Sequence, residues 1–341
     1  MTDILENLAY LNGKPQLTAN YKAQNQDFIV KEVLGFPFSG EGEHLMVRIR
    51  KNGENTSFVA NELAKVCGVK SKDIGWAGLK DRHAITEQWL SVHLPKKQLP
   101  DFGAFQQQYP SIEVLATDWH NKKLRPGDLI GNEFEIRLTS VSDMDALVAR
   151  LALVTRAGVP NYFGEQRFGH EGNNVTEARR WGRDNVRTRN QNKRSLYLSA
   201  ARSWIFNHIV SKRLNQGCFD QTIAGDMIEF DGQFVLASEV DLASREDWNI
   251  TAAMAGDNAL PTQEQALELE QSIVDQEPDL MKLIRGNRMR HDRRNIVLLP
   301  QQFSYQAEEN SVVLKFFLDS GSFATSVLRE LAQLQQVERQ F

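Results

Sequence analysis

Cysteine is nearly absent from this 341-residue chain, which carries only Cys67 and Cys218. Two thiols so far apart make neither a disulfide framework nor a cysteine-rich zinc site. Cys67, near the end of a predicted helix, reads as a small buried hydrophobe. The seven histidines show no HExxH or other metal spacing, and the chain has neither a P-loop nor a GxGxxG fingerprint. Any chemistry is therefore expected to run without metal, nucleotide or dinucleotide cofactor. No apolar run approaches the roughly 18 residues needed to span a bilayer, and the N-terminal stretch MTDILENLAYLNGKP lacks a basic region followed by an apolar one. The resulting expectation is a cytoplasmic protein without membrane association. Against these absences, 41% hydrophobic and 25% charged residues are ordinary globular material, enough for two domains with cores of their own.

The formal net charge of −4 argues on its face against a polyanionic partner. Its distribution argues the other way. Between Arg156 and Arg213 arginines crowd among few acids, a second basic cluster runs from Lys282 to Arg294, and between Asp241 and Asp279 acids dominate with Arg245 the single base. Charges segregated in this way can present a basic face despite a negative total.

The first 140 or so residues read as mixed α/β. Leu45 to Lys51 and Glu133 to Thr139 have strand patterns, the latter placing Asn132 at a strand mouth. Asn55 to Val66 has a helical one, with Val59, Leu63 and Val66 on one face and Gly68 beyond its end. Ser142 with Asp145 opens a helix in capping-box style that Gly158 ends. Beyond Gly158 the texture turns to glycine, asparagine and arginine, which marks a domain boundary. A long helix is predicted from Arg194 to Asn215, another opens at Thr262 with Gln265, strands are predicted at Ile296 to Leu299 and Val312 to Leu318, and a last helix at Ala324 to Leu334.

The densest chemistry lies in Gly75 to Trp89, GWAGLKDRHAITEQW. Asp81 stands between Lys80 and Arg82, with His83 following. A cation within about 4 to 6 Å lowers a carboxylate pKa by roughly 1 to 3 units, which would keep Asp81 ionised and available as nucleophile or base. A solvated Lys-Asp-Arg turn is the plain alternative. The apolar, glycine-punctuated run before it and the alternation from Gln88 to Leu94 after it instead suggest a connection anchored by core strands, where functional side chains are commonly held.

This segment resembles the catalytic-aspartate motif of the TruD family of tRNA pseudouridine synthases, with its Gly-x-Lys-Asp core. Four more segments resemble the family in the same order: Asp27 to Glu32 (DFIVKE), Gly131 to Phe134 (GNEF), Gly158 to Gly169 (GVPNYFGEQRFG) and Gly321 to Val327 (GSFATSV). Together they run over nearly the whole chain.

The resemblance implies an α/β (α+β) fold in which a pseudouridine synthase catalytic domain, a mixed sheet with flanking helices, is interrupted by a family-specific inserted α/β domain. Residues 1–157 and 303–341 would form the catalytic domain and 158–302 the insertion. It further implies that Asp81 is catalytic, that Phe28, Phe134 and Phe323 line the nucleotide pocket, that Asn132 pairs with a uracil edge, and that Lys22 is another active-site cation. Of Lys80 and Arg82, one could orient Asp81 and the other touch phosphates. Arg167 in the insertion signature, and Lys193 and Arg194 opening the long helix, are candidate RNA contacts. The implied reaction isomerises a uridine in the D-arm of tRNA, position 13, to pseudouridine without a cofactor, and tRNA is the implied partner.

Two readings of other classes compete. A noncatalytic RNA-binding or RNA-folding protein would use the basic insertion and have no need of Asp81. A glycosidase-like hydrolase would need two carboxylates about 5 to 10 Å apart, and the motif supplies only Asp81 and a remoter Glu87.

Overall fold

A computed structural model describes residues 4–337 of the chain. They divide into two compact units. A sheet unit contains Pro15–Leu151, Pro300–Ala324 and the stretch from Ala332, and a helical unit contains the stretch up to Lys14, Ala152–Leu299 and Thr325–Leu331.

The sheet unit is built on an eight-stranded mixed sheet. Seven strands run in the order Gln301–Ala307, Val312–Asp319, Gly131–Leu138, Phe28–Val33, Ile85–His93, His44–Asn52, Ile112–His120. The short eighth strand, Ile74–Trp76, pairs with Ile85–His93. One edge of Ile85–His93 is therefore shared: Phe28–Val33 runs parallel to it from Ile85 to Glu87, and Ile74–Trp76 antiparallel from Leu90 to Val92.

One face of the sheet is covered by the helix Thr56–Cys67, which lays Val59, Ala60, Leu63 and Ala64 against Leu45, Val47, Ile49, Leu90 and Val92. At roughly 1.5 to 3 kcal/mol per fully buried aliphatic side chain, this layer is a main source of the unit's stability. The helix stops at Gly68, whose left-handed backbone (φ 66°) lets its N–H reach back to Lys65 and close the last turn. Thr18–Tyr21 and Gln333–Gln336 form a separate parallel pair. The predicted last helix thus ends at Leu331 instead of Leu334, because the chain there turns to pair with a strand more than 300 residues earlier. The helix after Gly131–Leu138 runs Met144–Ala157, and its cap differs from the one expected. Asp143 Oδ1 accepts the Ala146 N–H at 2.9 Å, while Ser142 Oγ accepts that of Thr18.

The helical unit contains the helices Asn173–Arg183, Gln191–Asn215, Glu264–Asp275 and Pro278–Gly286. A four-stranded antiparallel sheet packs with them, in the order Gln233–Leu236, Met227–Phe230, Trp248–Met254, Asp292–Asn295. The strand predicted at Ile296 to Leu299 is two-residue pairing, Val297–Leu298 against Val159–Pro160. The stretch up to Lys14 meets Thr325–Leu331 here: the Arg329 guanidinium donates to the carbonyls of Leu5 and Leu8 and lies 3.6 Å from the Tyr10 ring centroid, and Glu330 accepts the Leu11 N–H. The units accordingly divide at 151/152 and 299/300, and the stretch up to Lys14 and Thr325–Leu331 pack with the middle of the chain instead of with the sheet.

Part of the arginine-rich sequence is internal to this unit or paired within it. Arg213 is buried with Asp226 (2.7 Å) and Arg293 with Glu270 (3.0 Å), and Arg179 is paired with Glu277. The exposed cations, among them Arg187, Arg189 and Lys193, are thus what the segregated charge leaves at the surface, while salt bridges withdraw Arg179, Arg213 and Arg293 from it.

Candidate active site

Asp81 lies on the connection between Ile74–Trp76 and Ile85–His93, as the core strands around it suggested. Because Phe28–Val33 occupies the same edge of Ile85–His93 just beyond Ile74–Trp76, this connection must leave the sheet plane and cross over one face. Strand alternation fixes what lies beneath: Thr86 and Gln88 point to the crossing face, and Lys51, opposite Thr86, points there too.

Three buried side chains, Gln88 and Lys51 from that floor and Thr56 from the start of the helix Thr56–Cys67, pin the crossing backbone. Gln88 Nε2 donates to the Gly78 carbonyl at 3.0 Å, and Thr56 Oγ1 accepts the Lys80 N–H at 3.0 Å while donating to Gln88 Oε1. The fully buried Lys51 Nζ donates to the carbonyls of Asp81 (2.8 Å) and Lys80 (3.3 Å). Burial pushes the Lys51 ammonium down to about 8, with the Asp81 charge opposing that fall and the Lys80 charge adding to it.

Lys80 itself turns away from Asp81. Its ammonium pairs with Glu32 at 3.0 Å, with side chains 6% and 0% exposed, and the other Glu32 oxygen accepts the Trp89 N–H. Trp89 sits between the stretches of Ile85–His93 covered by its two half-length neighbours, so the carboxylate completes the sheet edge where the strands part. The cation on Asp81 is Lys22, hydrogen-bonded to Oδ2, while the His83 N–H donates to Oδ1 at 3.0 Å. Of the alternatives left open for Lys80 and Arg82, neither pairs with Asp81: Arg82 is exposed and donates to the Gly53 carbonyl at 3.3 Å.

Lys22 holds a left-handed backbone conformation (φ 51°), uncommon outside glycine and often found where geometry serves a site. Its ammonium also lies 4.3 Å from the Phe28 ring centroid. Burial alone would raise the Asp81 carboxyl. The Lys22 charge and hydrogen bond, with the His83 N–H, outweigh it and hold the group below its ordinary value. The Asp81 side chain remains 21% exposed, so an ionised, oriented carboxylate is open to an incoming molecule.

The same face carries the other expected residues. Phe28, Val30 and Glu32 oppose Ile136, Phe134 and Asn132 in antiparallel register, and Phe134 and Asn132 oppose Phe316 and Leu318 on the next strand. Phe28 is buried, in edge contact with Phe134 at 6.1 Å. Phe134 is half-buried, with Phe316 stacked at 5.5 Å. Asn132 is the second residue inside its strand, and its Oδ1 is buried without a hydrogen-bond partner among the described residues. Gly131 beside it permits the close strand approach, since a Cβ there would lie 2.3 Å from the Leu318 carbonyl oxygen. Phe323, half-buried, sits on the connection leaving the strand Val312–Asp319 at its Asn132 end.

Glu87 alternates to the opposite face, where it is buried and clamped by Arg48 (2.9 Å) and Arg50 (2.7 Å). It cannot partner Asp81, which removes the carboxylate pair that a glycosidase reading requires. Among the described residues no three His, Cys, Asp or Glu side chains converge to hold a metal ion. No described helix is long and apolar enough to cross a membrane.

In the helical unit, Arg167 is half-buried with its guanidinium 5.0 Å from the Phe163 ring centroid, and Arg294 lies 4.0 Å from the same ring. Burial, and then the Arg167 charge, push Arg294 down to about 9. The surrounding signature is largely packing: Tyr162 and Phe168 are buried, and Asn207 brackets the Phe163 backbone. Lys193 and Arg194 stand in the first turn of Gln191–Asn215, Lys193 exposed and Arg194 bonded to the Gln191 side chain.

The sequence pattern gives no site role to Lys51 or Gln88, reads Thr56 only as one of two cap candidates for its helix, and includes Glu32 only as part of a motif. A lysine and a glutamine alternating with aliphatic residues inside strands were the available signals, since a buried polar side chain needs partners.

The family model for TruD, tRNA pseudouridine synthase D, matches residues 5–179 and 182–331. A tRNA pseudouridine synthase D of Vibrio parahaemolyticus is 64% identical over all of both chains, and that of Aliivibrio fischeri is 57% identical over all of this chain and 99% of the relative. A crystal structure described as a putative tRNA pseudouridine synthase D (TruD) of Methanosarcina mazei covers 95% of each chain with a TM-score of 0.69 at 21% identity, a likeness of fold. With one model matching almost its entire length and full-length relatives well above half identical, this chain belongs to the TruD family of tRNA pseudouridine synthases.

Proposed function

We propose that this chain isomerises a uridine of tRNA, the D-arm uridine at position 13, to pseudouridine in the bacterial cytoplasm, with Asp81 as the catalytic residue. The observation that carries the reading is the state of Asp81: partly exposed, ionised by Lys22, and fixed on a backbone that Lys51, Thr56 and Gln88 hold from below. Isomerisation breaks the N1–C1′ bond, forms C5–C1′, removes the C5 proton and leaves one on N1. Atoms and oxidation state balance without a co-reactant. An ionised carboxylate serves either by covalent attack or by taking a ribose proton.

The freed uracil must be turned without escaping, so the base is flipped out of the RNA and gripped. Phe134 and Phe323 would contact its faces, at about 1 to 3 kcal/mol per stacked base. Phe28, already buried beneath Lys22, would act by seating that lysine. The Asn132 carboxamide, with its buried oxygen unpartnered among the described residues, suits the donor and acceptor pattern of a uracil edge.

The test compares wild type and Asp81→Asn on an unmodified tRNA transcript, mapping pseudouridine by carbodiimide-dependent primer-extension stops. A D-arm stop with wild type alone, at equal tRNA affinity, is the expected result. Stops from both proteins would remove Asp81 from the chemistry. Tight binding with no stop from either would favour the noncatalytic RNA-binding reading.

A further inference from the structure

Arg187, Arg194, Lys282 and Arg288 line one open cleft of about 590 Å³ in the helical unit, and no Asp or Glu is among its lining residues. The cleft lies where three helices meet: the end of Asn173–Arg183 with the turn after it, the first turns of Gln191–Asn215, and the end of Pro278–Gly286. Gly182 sets its depth, because a Cβ there would lie 1.8 Å from the Asp279 carbonyl oxygen and force two of the helices apart. Trp181 forms part of the wall, with its buried indole N–H unpartnered among the described residues.

Ordinary helix electrostatics do not account for these cations. Basic residues near helix C-termini offset the dipole, which explains Arg183 and Arg285. Arg194 stands in the first turn of its helix, where a cation is disfavoured and no acid accompanies it. Arg288 occupies a left-handed conformation (φ 52°) that glycine or asparagine would adopt more readily. Of the nearby acids, Asp184 is engaged by Arg183 outside the cleft, and Asp279 reaches one cleft cation, Lys282, only at the long distance of 3.9 Å in an i,i+3 pair. Arg179, Arg213 and Arg293 show the contrast, each held at 2.5 to 3.0 Å by a carboxylate.

We infer that this cleft is a phosphodiester-binding site that grips the backbone of the RNA substrate, with Arg187, Arg194, Lys282 and Arg288 as its phosphate contacts. The inference rests on the tRNA reading above and adds a docking point on the unit that does not carry Asp81. The exposed Arg187, Lys282 and Arg288 and the half-buried Arg194, around an open cleft, match a chain of phosphates held at the surface. Such contacts position the RNA without reading its bases.

The test measures binding of a tRNA transcript across a salt series, and steady-state turnover, for wild type and for the neutralised pair Arg187→Gln/Lys282→Gln. Each lost phosphate contact lowers the slope of log Kd against log salt by about one. The pair should therefore lose about two units of slope, bind about tenfold more weakly at moderate salt, and keep wild-type kcat at saturating tRNA. Lys282→Arg should retain the wild-type slope. An unchanged slope and Kd in the pair, with an unchanged melting curve, would overturn the inference. So would displacement of tRNA from wild type by micromolar ATP, which would mark a site for a free nucleotide. Failure of the tRNA reading looks different: wild type would bind with a steep, cleft-dependent slope and make no pseudouridine.

Discussion

Lys51 and Lys80 are buried in the sheet unit to hold a loop, Lys51 on backbone carbonyls and Lys80 on a carboxylate that itself repairs a sheet edge. In the helical unit Arg213 and Arg293 are buried against Asp226 and Glu270, with the remaining donors on carbonyls and a threonine. The first arrangement leaves a carboxylate presented to solvent, and the second leaves nothing charged exposed. Runs of basic residues that look alike in sequence thus divide into positioning groups, structural pairs and accessible cations. Only the partners reached in the fold tell them apart.

The sharpest way to break this comparison is to remove one structural cation. Arg213→Met would strand Asp226 in the interior and should cost about 3 to 5 kcal/mol, because an uncompensated buried charge is far worse than none. Urea denaturation measures it, and Arg213→Met/Asp226→Leu should recover most of the loss. If the single variant were as stable as wild type, the pair would not be the buried clamp described here.

Next in size is the cation on Asp81. Lys22→Met should lower kcat by about 10²-fold and move the acid limb of the pH profile upward. The sign follows from the opposed causes on Asp81: its pKa is held low, so the active ionised form is lost as pH falls through that depressed value. Without Lys22, the burial that raises the carboxyl prevails. Lys80→Met should instead strand Glu32 and lower the melting temperature while leaving that limb in place. An acid limb that moved with Lys80 and not with Lys22 would reverse the two assignments.

The strands flanking Asp81 were legible because their patterns are local: alternation from Gln88 and a glycine-punctuated apolar run. So was the helix Thr56–Cys67, with its stripe and terminal glycine. The identity of the cation on Asp81 was not, since Lys22 and Asp81 are 59 residues apart and Lys80, the neighbour in sequence, points elsewhere. The strand Gln333–Gln336 was hidden for the same reason: its partner is Thr18–Tyr21, and its glutamines carry no alternation. Which members of the arginine-rich segment stay exposed was not legible, because composition counts charges but not the carboxylates that fold against Arg213 and Arg293.

The smallest effect, and the one that separates positioning from structural burial, belongs to Lys51. Its ammonium titrates at about 8 against an ordinary 10.5, so the folded protein binds that proton more weakly than the unfolded chain does. Between those values the unfolded state carries the extra proton, and the Lys51 contribution to stability improves as pH rises through the window. Below it, keeping the charge buried costs about 3 kcal/mol. Lys51→Met removes that cost but also the hold on the Lys80 and Asp81 carbonyls. It should be at least as stable as wild type at pH 7 yet turn over about tenfold more slowly, as expected when a reacting group is allowed to wander. Its stability advantage should shrink between pH 8 and 10, read as the difference between paired urea titrations. A flat difference across that range would mean Lys51 is not buried as an ammonium, and unchanged turnover would mean the loop does not depend on it. A purely structural cation such as Arg213 would show the opposite pairing, large in stability and small in turnover.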